Sequence, residues 1–112
     1  MKNMNNQEKN TYVRQHILSA LLELMETQEF ASISIQALVD AAGVGRASFY
    51  RNFASKEDVL QQESVRLTNE WKTKFDQEHP DGTPGPENLW LISLLDFYKE
   101  HSEFYLALYH AG

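Results

Sequence analysis

The chain has 112 residues, of which 42% are hydrophobic and 12% aromatic; this suits one domain, or one domain with part of a second, and excludes two full ones. Sixteen acidic against ten basic residues give a formal charge of −6, which excludes a polybasic tail, so any contact with a polyanion has to be local. The absence of cysteine removes disulfides, thiolate metal sites and cysteine nucleophiles, as suits a reducing compartment. The N-terminus has no apolar run behind it and the longest apolar stretch, residues 89–95, is far short of the ~20 residues of a membrane span. A cytoplasmic protein with neither leader nor membrane anchor is expected.

Apolar residues recur at three and four along the chain and nowhere alternate, so the expected class is all-α. A first helix is expected over residues 11–27, with Val13, Ile17, Leu21 and Leu24 as a stripe widened by Leu18, Leu22 and Met25. The Asn-rich first ten residues are expected to fray. Ser34 precedes Ile35-Gln36-Ala37-Leu38-Val39 and is placed to cap a short second helix. Gly43 ends that helix, because the sharp turn needs a positive φ that glycine adopts at little steric cost. A third short helix follows over residues 45–52. Ser55 opens a fourth, with Asp58 three residues on completing a capping box, and this helix is expected to reach residue 78 with Leu60, Leu67, Trp71 and Phe75 on one side. Residues 79–86 hold all three prolines and two of the five glycines and read as a loop. Helices over 89–98 and 103–109 complete the chain, the last capped by Ser102.

Two short helices joined by a glycine turn, between two longer ones, are the layout of a helix-turn-helix reader of DNA. The small Ala41 and Ala42 allow close approach at the turn, Val44 fills the gap, and Leu38, Val39, Phe49 and Phe53 hold the pair on the first helix. Arg46, Ala47, Ser48, Tyr50 and Asn52 then face outward. That face carries no acid and suits phosphates and base edges. Charge agrees with the placement: residues 34–56 hold Arg46, Arg51 and Lys56 against Asp40, whereas residues 57–112 hold four basic and eleven acidic residues. A local positive field on an acidic background can orient a docking surface.

The run from Ser34 to Leu60, with Ala-Ala-Gly-Val at 41–44, Phe-Tyr at 49–50, Phe-x-x-Lys-Glu at 53–57 and Leu60, resembles the DNA-binding signature of the tetracycline-repressor (TetR) family of transcription regulators. The resemblance implies a three-helix DNA-binding domain over residues 1–56, followed over 57–112 by the start of a helical effector-binding and dimerisation domain that is expected to be incomplete. It also implies a homodimer on a palindromic operator of double-stranded DNA, released by a small-molecule effector, with no cofactor. Position by position, Arg46 and Ser48 look like base-edge or near-base contacts, Gln36 like a contact from the second helix, and Tyr50, Asn52 and Lys56 like phosphate contacts. Ala47 offers a methyl for a thymine. Gly45 stands where the family usually has a serine cap, and Asn52 where histidine or tyrosine is frequent.

Trp71, Phe75, Trp90, Phe97, Tyr98, Phe104, Tyr105 and Tyr109 make the second half aromatic-rich; core packing is the default reading and an effector pocket the sharper one. The four histidines lack metal-ligand spacing, and no nucleophile elbow, P-loop or dinucleotide fingerprint occurs, so an enzyme is not expected. The alternative is a fold of the same type that senses a ligand or binds protein without binding DNA.

Overall fold

A computed structural model describes residues 5–78 and 89–111. Among these are α1 (Asn6–Leu24), a 3₁₀ turn (Phe30–Ser32), α2 (Ile35–Ala42), α3 (Arg46–Asn52), α4 (Lys56–Glu78), α5 (Leu89–Glu100) and α6 (Ser102–Ala111), with no strand. The all-α class is as expected. The segment 79–86, expected as a loop, lies outside the described residues.

The first helix differs from expectation at both ends. It starts at Asn6 because the Asn5 side chain accepts the Glu8 backbone N–H at 2.7 Å, so an asparagine expected to fray instead caps. It ends at Leu24, where the amides of Glu26 and Thr27 bond three residues back and tighten the chain out of α geometry. Its stripe is as expected, with Ile17 and Leu21 fully buried and Val13, Leu18, Leu22, Leu24 and Met25 packed around them.

Local chemistry sets the next two helices. Ser34 Oγ accepts the Ala37 N–H at 3.0 Å and starts α2. At its end Gly43 has φ +71°, while Gly43 N–H donates to Asp40 O and Val44 N–H to Val39 O, the paired bonds that close a helix around a left-handed residue. A Cβ at Gly43 would meet nothing within 4 Å, so backbone strain alone opposes replacement. Gly43→Ala should therefore lower stability by about 1–2 kcal/mol, and Gly43→Asn by less, as measured by urea denaturation. The α3 N-cap, Gly45, makes no side-chain hydrogen bond. At the turn only Ala42 is half-buried, beside a half-buried Val44; Ala41 is exposed and does not serve the close approach expected of it.

The core is one cluster. Leu38, Val39, Phe49 and Phe53 pack on Ile17 and Leu21 of α1, Val59 and Leu60 of α4 join them, and the cluster runs on through Leu67 to Phe97 and Phe104. Phe30 and Ile33 of the 3₁₀ segment are also buried in it; a turn of three residues has no periodicity to announce it. At the start of α4 Ser55 Oγ accepts the Asp58 N–H at 3.1 Å, as expected, but the Asp58 carboxylate returns to Ala54 N–H at 2.9 Å, one residue earlier than a standard capping box.

α4 meets α5 through Trp71 Nε1–H donating to Ser93 Oγ at 3.1 Å. Between α5 and α6 only His101 leaves the helix; its N–H donates to Phe97 O and its carbonyl accepts from Tyr105 N–H. Ser102 is thus the first residue of α6 and not the expected cap, because His101 occupies the capping position. Phe97 and Phe104 are buried, whereas Trp90, Leu91, Ile92, Leu95, Tyr98, Leu106 and Tyr109 stay substantially exposed. No helix among the described residues is long and apolar enough to cross a membrane.

Candidate nucleic-acid interface

α3 presents one continuous outer face because its seven residues are held from beneath at two points. Phe49 is fully buried and Phe53, just after the helix, is 5% exposed, their ring centroids 5.7 Å apart. A residue one or two positions from such an anchor points away from the core. Ala47 is exposed accordingly, and Tyr50 is 51% exposed with its ring edge-on to Phe49 at 5.2 Å; Arg46, the first residue of the helix, is exposed as well.

Two expected contacts sit deeper. Ser48 is half-buried and its carbonyl accepts the Asn52 Nδ2–H at 2.9 Å. Asn52 is itself half-buried and its carbonyl accepts from Gln62 Nε2 at 3.0 Å. The Asn52 amide therefore closes the last turn of α3. Gln62 also donates to Asp58 Oδ2 at 2.9 Å and accepts from Arg14 Nη2, so one side chain joins the end of α3 to α1 and α4. Sequence reasoning missed Gln62, since none of these partners lies at a spacing that marks a site.

Gln36 is exposed on α2, where its Oε1 accepts from Arg46 Nη1 at 3.1 Å and its Nε2 donates to Asp40 Oδ1 at 2.8 Å. Two expected DNA contacts on different helices, Arg46 and Gln36, are thereby brought together. Lys56, half-buried at the start of α4, turns its ammonium onto Phe30 O at 2.6 Å and Ile33 O at 2.9 Å and lies 4.6 Å over the Phe30 ring. Two of its three ammonium protons are committed to the 3₁₀ turn, and one is left for an outside partner.

A short helix docked behind a left-handed glycine turn, with Arg46, Ala47 and Tyr50 outermost and no acid between them, is the helix-turn-helix arrangement of DNA-binding transcription regulators. Residues 17–62 match the family described as bacterial regulatory proteins, tetR family. Over that stretch the chain carries a TetR-family helix-turn-helix domain. It is 48% identical over 44 residues to the HTH-type transcriptional regulator EthR of Mycolicibacterium smegmatis, covering 39% of this chain and 20% of that protein. Against EthR of Mycobacterium tuberculosis it is 33% identical over 85 residues, covering 74% and 39% respectively. The regulator AlkX of Mycobacterium tuberculosis is 28% identical over 57 residues, 51% of this chain and 27% of the relative. The chain thus spans about two fifths or less of these relatives' lengths. No solved structure matches.

The aromatic second half divides. Phe97 and Phe104 are core, as the default reading has it, and Tyr98 packs edge-on to Tyr105 at 4.5 Å. Trp90 and Tyr109 are 51% and 78% exposed. A groove between α1 and α4, lined by Thr11, Arg14, Leu18, Phe53, Gln62 and Arg66 among others, is open and mixed in character, unlike an enclosed apolar effector pocket.

Proposed function

We propose that the protein is a DNA-binding transcription regulator, a repressor that binds a palindromic operator as a homodimer and is released by a small-molecule effector. The observation that carries the reading is the acid-free outer face of α3, seated on a buried Phe49. In this reading residues 1–56 form the DNA-binding domain and residues 57–112 begin the effector and dimerisation domain, with α4 shared between them. Arg46 and Gln36 read base edges, Ser48 lies at or near one, Ala47 meets a thymine methyl, and Tyr50, Asn52 and Lys56 approach the backbone, Asn52 and Lys56 with what their internal bonds leave free. The regulator works in the cytoplasm and is not an enzyme. Names of the relatives as HTH-type transcriptional regulators support it.

Selection of bound duplexes from random DNA tests the reading: an enriched palindrome is expected, and no enrichment would leave a ligand-sensing or protein-binding module instead. Arg46→Ala should weaken binding to the enriched duplex by about 1–3 kcal/mol with a smaller effect on unrelated DNA. Equal losses on both in a gel-shift titration would reduce Arg46 to a phosphate contact.

A further inference from the structure

Asp40 lies in the last turn of α2, where a negative charge opposes the helix dipole, and it is the lone acid among the residues 34–56. It is exposed and forms no ion pair among the described residues. Its carboxylate accepts from Gln36 Nε2 at 2.8 Å, and Gln36 Oε1 in turn accepts from Arg46 Nη1 at 3.1 Å. A carboxylate only accepts and a guanidinium only donates. An amide held between them has one orientation, because flipping it would set oxygen against oxygen and N–H against N–H.

We propose that Asp40 is a positioning residue for sequence readout, fixing the Gln36 amide so that Gln36 and Arg46 read neighbouring base pairs as one unit. This rests on the DNA-binding reading above. With one N–H on Asp40 and one lone pair on Arg46, the Gln36 amide keeps one donor and one acceptor, the pair that matches adenine N6 and N7. Arg46 keeps four of its five N–H donors, enough for a bidentate contact to guanine O6 and N7. The recognised element is then an A·T pair beside a G·C pair, each read through its purine. Asp40 itself touches no base; it acts by removing the alternative amide orientation before DNA arrives.

The test uses the whole chain and the duplex enriched by the wild type from random DNA. Binding is compared on that duplex, on duplexes with single base-pair replacements and on an unrelated duplex. Asp40→Ala should keep its melting temperature, bind the unrelated duplex as well or more tightly for want of a negative charge, and lose roughly fivefold or more of the discrimination at the A·T pair. Gln36→Ala should lose the same discrimination, with no further loss when the two are combined. Asp40→Glu, whose carboxylate can still reach Gln36, should restore most of it. A base-preference profile unchanged in Asp40→Ala but altered in Gln36→Ala would overturn the proposal and leave the DNA-binding reading standing. Failure of the wild type to enrich any sequence would overturn both.

Discussion

Phe49→Ala should lower the stability of the domain by about 3–5 kcal/mol, the range for deleting a fully buried aromatic ring. Phe49 is 0% exposed, stands at the centre of the cluster formed by α1, α2 and α4, and is the anchor from which the outer face of α3 projects. A total stability of roughly 5–15 kcal/mol is typical of native domains, so much of the reserve would be gone. At about 4–8 °C for each kcal/mol, the melting temperature followed by circular dichroism should fall by about 12–40 °C. The adjacent Tyr50, half out of the core, supplies the control: Tyr50→Ala should change stability by about 0.5 kcal/mol or less. Comparable losses in the two variants would mean that α3 is not seated through Phe49.

Lys56→Met is the second large effect. Methionine keeps the length and packing of the stem but withdraws the ammonium from Phe30 O, Ile33 O and the Phe30 ring. Hydrogen bonds from a charged donor are worth about 1.5–3 kcal/mol each, and a partly solvated cation over a ring about 0.5–1. Lys56 is only half-buried, which places the net loss at about 2–3 kcal/mol, read as a lower urea midpoint at unchanged slope. The same variant tests the phosphate contact. If the third ammonium proton meets DNA, the salt dependence of binding falls by about 0.9; an unchanged slope removes Lys56 from the phosphate set and leaves its structural role.

What could be read from residues alone was what neighbours along the chain decide. Ser34 as a cap, Gly43 as the left-handed residue and the burial of Leu38, Val39, Phe49 and Phe53 all depend on spacings of a few residues, and all hold. Ala47 and Tyr50 are outward for the same reason: their direction follows from that of Phe49. The parts that were not legible are joined across the fold. Lys56 meets Phe30 from 26 residues away, Gln62 meets Arg14 from 48 and Asn52 from ten, and no local pattern encodes such pairs. Ser48 and Asn52 were expected to face out, yet the Asn52 amide turns back onto Ser48 O and its carbonyl takes the Gln62 N–H of α4, and both residues are half-buried. Asn5 was misread because composition marks a frayed terminus, whereas a single well-placed amide begins a helix.

The 3₁₀ turn that holds Lys56 also packs against α6. Among the described residues the two halves are therefore joined along the continuous α4 and also where α6 bears on that turn. A body fastened at one point swings freely about it; fastened at two, it can only tilt about the line between them. The short turn at Phe30, and not α4 alone, therefore ties the reader to α6.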